Sequence, residues 1–321
     1  MFYNGLVIGK FYPPHKGHKF LIDTAQKMSE NLTIIICAKD NETIPGTLRA
    51  QWLSQIHPKA KIILINDNKL ADDDSEGWAK YTVDILGFVP DAVFTSEDYG
   101  DPYAHFMGSI HVLVDKERAT IPISGTLVRN NPTKYIKFLE PNVRAYFTRR
   151  IVVLGAESTG TTTLAKALAQ YYNTVWVPEY GRYFSEGKRF VGYGEGDWTT
   201  AEFVAIAKAQ AKFEDSLAES SKGIVISDTD AFATAIWHER YLGFRAPEVE
   251  AISANRRVDL YIITGDEIPF EDDGLRDGEN IRHELHQLFI QRVIESKKPY
   301  IIVQGSVEER LQVAVEAIYK L

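Results

Sequence analysis

Short apolar, β-branched runs recur along the chain, separated by longer stretches of mixed polarity. In the first half they fall at Leu6 to Ile8, Leu32 to Ala38, Lys61 to Ile65, Ala92 to Thr95 and His111 to Val114. In the second half they fall at Ile151 to Leu154, Thr174 to Val177, Gly223 to Ser227, Leu260 to Thr264 and Tyr300 to Gln304. A strand covered on both faces needs such unbroken runs, whereas one with a solvated face would alternate. The segments between them carry helical spacing, as Phe20, Leu21 and Ala25 do. The pattern predicts two α/β units, each a parallel sheet wrapped by helices, with binding sites beyond the carboxyl ends of the strands.

Between the halves, a predicted helix from Thr133 to Phe147, interrupted near Pro141, leads to Arg149, Arg150 and a new strand. The boundary is therefore expected near Thr148, giving domains 1–148 and 149–321. Asp72, Asp73 and Asp74 read as a solvated turn rather than a metal site. Ser185 to Trp198, with four glycines, reads as a mobile loop. Its GYGEG lacks the spacing of a dinucleotide fingerprint and follows no strand.

A length of 321 residues suits two domains. Lys plus Arg total 36 against 44 Asp plus Glu, a net charge of −8 that argues against a broad grip on nucleic acid or anionic membrane. Any phosphate is expected to be held locally. No apolar run approaches the ~18 residues a spanning helix needs, and MFYNGLVIGK lacks the basic-then-apolar order of a signal peptide, so the cytoplasm is the expected location. The single cysteine, Cys37, fits strand packing in a reducing compartment. His238, His283 and His286 form no tight constellation with cysteine or acid partners, and no zinc site is expected.

Two segments carry phosphate chemistry in the first half. After the first strand comes Gly9-Lys10-Phe11-Tyr12-Pro13-Pro14-His15-Lys16-Gly17-His18, two imidazoles three apart at a helix start. The glycine between them admits backbone to a ligand, and the helix N-terminus favours an anion. Alone, two surface histidines would be the simpler reading. About a hundred residues on, however, Ile123-Ser124-Gly125-Thr126-Leu127-Val128-Arg129 joins two hydroxyls to an arginine at another loop-to-helix transition.

In the second half, the strand at Ile151 runs into Gly155-Ala156-Glu157-Ser158-Thr159-Gly160-Thr161-Thr162-Thr163 and then a helix. This is P-loop spacing in its strand, turn, helix context, except that threonine stands at 161 where the pattern has lysine. Thr162 keeps the hydroxyl that reaches Mg²⁺. Ile224 to Asp228 is an apolar strand ending in aspartate, a candidate Walker B, with Asp230 two residues on. Pro178-Glu179-Tyr180-Gly181-Arg182 follows another strand, and Asp272 to Gly278 with Arg282 offers arginines flanked by glycines, as a closing lid would. Simpler alternatives are a surface ion pair for Glu179 and Arg182, and solvated loop charge for Arg276 and Arg282.

The pair GKFYPPHKGH and ISGTLVR resembles the nucleotidylyltransferase superfamily, whose HxGH and ISxxxxR elements flank a triphosphate. Ser96-Glu97-Asp98-Tyr99-Gly100 with Val114-Asp115-Lys116-Glu117-Arg118 narrows this to the NadR type, and the second half is similar to that type's ribosylnicotinamide kinase domain. The resemblance spans essentially the whole chain in family order. It implies an HxGH Rossmann-like adenylyltransferase domain followed by a P-loop kinase domain. In the first, His15 and His18 would contact the triphosphate, Lys10 a phosphate within the loop of Gly9 and Phe11, and Ser124, Thr126 and Arg129 would clamp the β- and γ-phosphates. Trp78 would stack on the nicotinamide ring, although ordinary helix packing explains it equally well. In the second, residues 155 to 163 would cradle ATP, Thr162 and Asp228 would hold Mg²⁺, and Glu179 would orient the attacking hydroxyl. Tyr180 and Arg182 would meet the acceptor, and Arg276 or Arg282 would supply the charge missing at Thr161.

The function implied is bifunctional: phosphorylation of nicotinamide riboside by ATP, then adenylation of the mononucleotide (NMN) to NAD. One rival keeps only the adenylyltransferase, with the lysine-less P-loop as a nucleotide sensor. Another is a binding protein that docks on a vitamin transporter. Some members carry an N-terminal helix-turn-helix domain; here the first strand begins by about residue 5, so a DNA-binding role is not expected. Oligomeric state is left open, a homo-oligomer included.

Overall fold

The computed structural model describes residues 1–68, 71, 73–192, 198–271 and 281–321. The chain divides into two compact units, Met1–Tyr146 and Phe147–Leu321.

In the first unit β1 (Phe2–Gly9), β2 (Ser29–Ala38), β3 (Lys61–Asn66), β4 (Ala92–Thr95) and β5 (Ile110–Leu113) form a parallel sheet in the order β3-β2-β1-β4-β5. In the second, β6 (Arg149–Leu154), β7 (Val175–Val177), β8 (Ile224–Asp228), β9 (Leu260–Thr264) and β10 (Tyr300–Val303) form another, ordered β10-β9-β6-β8-β7 and also parallel. The two-unit, parallel-sheet architecture is the one the apolar runs predict. In each unit the first strand lies at the centre, with later strands on both sides. Its carboxyl end is therefore the crevice of a doubly wound sheet, and both glycine-containing loops start there.

Strand residues alternate between two buried faces, as a period of two requires. Val7, Ile34, Ile36 and Phe94 pack on Leu21, Ile22 and Ala25 of the helix Lys16–Met28. Leu6, Ile8, Ile35, Cys37 and Val93 pack on Trp78, Ala79, Tyr103 and Met107. In the second unit Ile151, Val153 and Ile262 meet Leu164, Leu168 and Ala314, while Val152, Leu154 and Ile263 meet Ile236, Phe289 and Val293. Cys37 is thus a buried cysteine, outside any disulfide, in strand packing.

Some local expectations are corrected. Ser185 to Phe190 is not loop but the end of the helix Tyr180–Phe190, whose Lys188 lies over the Trp198 ring at 4.1 Å and pairs with Glu202 at 2.9 Å. Residues 193–197 lie outside the described residues. The stretch before the boundary is two helical pieces, Pro132–Tyr135 and Pro141–Phe147, with Ile136–Phe138 a single 3₁₀ turn. Asp74 caps the helix Ser75–Leu86 by accepting from the Gly77 amide at 2.9 Å. No helix among the described residues is long and apolar enough to cross a membrane.

Candidate functional site

A cavity of about 470 Å³ opens at the carboxyl end of β1, lined by Lys10, Phe11, His15, His18, Trp78 and Arg129 among others. β1 ends at Gly9, and the chain turns sharply through Phe11, whose φ of 45° lies in the left-handed region where strain gathers at functional loops. Phe11 is buried and sets its ring edge-on to His18 at 5.1 Å. His15 caps the helix Lys16–Met28: its Nδ1 accepts the His18 amide at 3.3 Å, which places the ring proton on Nε2. The two imidazoles stack, with centroids 3.6 Å apart and planes 17° from parallel. Burial and the nearby Arg118 guanidinium push His15 down to about 3, and burial with the His15 neighbour pushes His18 well below its ordinary value. Both rings are therefore neutral donors near pH 7, and the His18 Nδ1 has no hydrogen-bond partner among the described residues.

The ISGTLVR segment also lines this cavity, through Ile123 to Thr126 and Arg129. Ser124 caps the short helix Gly125–Asn130, accepting from the Leu127 amide at 3.2 Å. Arg129 donates to the Tyr12 carbonyl and to Thr126 Oγ1 (3.1 Å), and lies over the Tyr12 ring at 4.4 Å. A Cβ on Gly125 would meet the Tyr12 carbonyl at 2.5 Å, so only glycine lets the two motifs approach this closely. The paired acidic and basic segments also meet: Arg118 binds Glu97 at 2.9 Å and Lys116 binds Asp98. Trp78 lines the cavity while its indole N–H donates to the Ala71 carbonyl at 2.9 Å, so packing and cavity lining coexist in one side chain.

The second cavity, about 200 Å³, lies beyond β6 and is lined by Gly155, Ala156, Glu157, Ser158 and Gly160 to Thr163, together with Glu179 and Arg182. Gly155 and Gly160 are required by different constraints: a Cβ at 155 would fall 2.2 Å from Thr264 Oγ1, and Gly160 has a φ of 84°. Thr159 faces away from the cavity, donating to the Ala156 carbonyl at 2.7 Å and bonding Thr264 at 2.7 Å, so it shapes the loop. Thr162 Oγ1 donates to Asp228 Oδ2 at 2.5 Å. Asp228 is buried, which raises its carboxyl above the ordinary value against the pull of Thr162, Thr161 and Arg182. Its Oδ1 has no hydrogen bond among the described residues. This hydroxyl and carboxylate are hard oxygen donors of the kind Mg²⁺ takes, and one is left unsatisfied.

Glu179 stands at the start of the helix Tyr180–Phe190, just beyond β7, with its side chain in the cavity lining rather than capping that helix. Two expectations are corrected. Tyr180 does not line the cavity; its ring packs edge-on to Phe213 at 5.4 Å and its amide donates to Gln210 at 2.7 Å. Arg282 is buried, and its guanidinium donates to the carbonyls of Asp266 (2.7 Å) and Ile268 (2.5 Å), because it opens the helix Arg282–Ser296 and reaches back to the preceding turn. Asp230 caps the helix Ala231–Leu242 and accepts from Tyr261 at 3.0 Å, which is a structural role. Arg276 lies outside the described residues.

The AAA domain family model matches residues 150–310. Proteins described as "Trifunctional NAD biosynthesis/regulator protein NadR", from Escherichia coli K12 and Salmonella typhimurium LT2, are each 30% identical over 325 residues, covering 94% of this chain and 78% of theirs. The chain belongs to the NadR family. Two solved NadR structures share its fold: one in complex with NR (TM-score 0.80, 21% identity, 99% of this chain and 95% of that one) and one with NAD and AMP-PNP (0.77, 22%, 100% and 96%).

Some site residues of this NadR-family chain were not legible as such. Arg49 is fully buried, donates to the Lys10 carbonyl at 2.5 Å, binds Glu42 and lies 5.2 Å from the Tyr12 ring centre, so it holds the Lys10 loop from behind. In the second cavity Trp198, Phe203, Trp237 and Tyr241 form an aromatic wall, with Trp198 5.0 Å from Phe203 and 5.6 Å from Tyr241. These residues come from separate elements, and no local motif unites them.

Proposed function

We propose that this chain makes NAD in two steps: the second unit phosphorylates nicotinamide riboside with ATP, and the first transfers the adenylyl group of ATP to the resulting NMN. The observation that supports this reading is the presence, in one chain, of two separate crevices, each bordered by a glycine-containing loop that leads into a helix and each with aromatic surface that a cationic pyridinium ring could meet.

In the first unit a phosphate oxygen of NMN attacks the α-phosphorus of ATP, the bond to the β-phosphate oxygen breaks, and pyrophosphate leaves. His15 and His18, neutral and preorganised, donate hydrogen bonds to oxygens on which charge grows. Lys10 and Arg129 neutralise the departing pyrophosphate. Trp78 offers a face to the nicotinamide. In the second unit the riboside 5′-hydroxyl attacks the γ-phosphorus and ADP leaves. Glu179 orients the hydroxyl and takes its proton, Arg182 meets the phosphoryl group, and the aromatic wall receives the nicotinamide. Thr162 and Asp228 would hold Mg²⁺, which neutralises phosphate charge when bound.

Threonine at 161 favours a second reading, in which the P-loop unit senses nucleotide and only adenylation occurs. Purified protein given ATP and NMN is expected to release pyrophosphate and form NAD; given ATP and the riboside, it is expected to form NMN. Adenylation without riboside phosphorylation would support the sensor, and the absence of both would overturn the proposal.

A further inference from the structure

A P-loop with threonine at 161 has no mobile ammonium among its own residues to meet the β- and γ-phosphates. The structure places another cation directly behind the loop. Arg310, from the helix Val307–Tyr319, is 3% exposed and donates from Nη1 to the Thr159 carbonyl at 2.6 Å. Its Nη2 donates to Glu267 at 2.6 Å and to the Gly265 carbonyl at 3.3 Å. A Cβ built on Gly160 would stand 3.5 Å from Nη1, so the guanidinium lies one peptide layer from the cavity that Gly160 lines.

The planar trans peptide gives this contact a direction. In a trans peptide the carbonyl and the N–H of the next residue lie in one plane and point in opposite directions across the C–N bond. A bond that fixes the Thr159 carbonyl toward Arg310 therefore turns the Gly160 N–H the other way. The same cation polarises that peptide, making its N–H a better donor. Glu267 partly offsets the charge, and its side chain is 36% exposed, so the balance can be changed without disturbing the core.

We propose that Arg310 is a positioning residue for the phosphate loop, holding the Thr159–Gly160 peptide and supplying from beneath the positive charge that position 161 lacks. The proposal rests on reading this loop as a nucleotide site, and its test measures nucleotide binding, which needs no phosphoryl acceptor. Binding of AMP-PNP with Mg²⁺ is measured by calorimetry on the full chain, with excess NAD present to fill the first cavity. Arg310→Gln is expected to weaken binding at least tenfold, and Thr161→Lys to recover most of that loss in the Arg310→Gln background while adding little to the wild type. Glu267→Gln, which keeps an acceptor for the Gly305 amide now bonded at 2.8 Å but removes the counter-charge, is expected to tighten binding two- to fivefold. Unchanged binding in Arg310→Gln would overturn the proposal, as would an equal gain from Thr161→Lys in both backgrounds. Should Arg310→Gln fail to fold, Glu267→Gln decides alone: weaker or unchanged binding would mean that the arginine serves packing only. Tight AMP-PNP binding without riboside phosphorylation would sink the kinase reading and leave the Arg310 role intact.

Discussion

His15 and His18 lie face to face, ring centroids 3.6 Å apart, with the Nδ1 of the first accepting the amide of the second. The stack and the capping bond hold both rings in one orientation, so little reorganisation is needed when charge grows on a bound triphosphate. His18→Ala is expected to lower adenylation by roughly 10² to 10³ in kcat. The helix cap belongs to His15, so the fold should persist, which circular dichroism can verify. Near-normal pyrophosphate release by a folded variant would remove the first-site assignment.

The same burial makes the first unit sensitive to acid. The folded pKa of His15, about 3, lies below its ordinary 6.5, so between those values the unfolded chain holds a proton that the folded chain rejects. Stability from this group is complete above pH 6.5 and is lost as pH falls toward 3, with a slope of up to about 1.4 kcal/mol per pH unit. His18 and His57 are lowered too and act in the same direction. His15→Asn can still accept the His18 amide and should flatten the urea-midpoint profile between pH 6.5 and 4.5 by up to one proton. An unchanged slope would show that His15 is protonated in the folded state.

Arg49, fully buried, pairs with the mostly covered Glu42 behind the Lys10 loop, and removing one member strands the other. Arg49→Met is expected to cost about 3 kcal/mol and also to impair adenylation, because the Lys10 carbonyl loses its donor. Adding Glu42→Gln should return part of the stability and none of the activity. Recovery of both would place Arg49 outside loop positioning.

The strands were legible because unbroken apolar runs have few other uses, and the two glycine loops because their spacing is local. What the sequence hid depends on partners far away in the chain. β1 begins at Phe2, ahead of the apolar run at Leu6 to Ile8, and Asp91 Oδ2 accepts the amides of Tyr3 (2.8 Å) and Asn4 (2.9 Å), which ties down a polar start. Arg49 sits in a helix remote from either motif, and nothing in its neighbours marks it as the support of residue 10. Arg282 misled for the opposite reason. Its glycine-rich approach suggests a lid, yet a helix start directs the side chain back to carbonyls 266 and 268.

Glu179 offers the sharpest separation of the two activities. It lies in the second unit, at the carboxyl end of β7 and in the lining of the P-loop cavity, whereas His18 lies in the first. Glu179→Gln keeps shape and hydrogen bonding but cannot accept the riboside proton. It is expected to lower riboside phosphorylation by roughly 10² to 10⁴ while NAD formation from supplied NMN stays at the wild-type rate. His18→Ala should show the reverse, phosphorylating the riboside normally and accumulating NMN. Mixing the two variants should therefore restore NAD synthesis from riboside, since NMN made by one protein can be used by the other. If Glu179→Gln also slowed adenylation of supplied NMN, the units would not work independently. If it phosphorylated normally, the proton would leave by another route and Glu179 would be an orienting group at most.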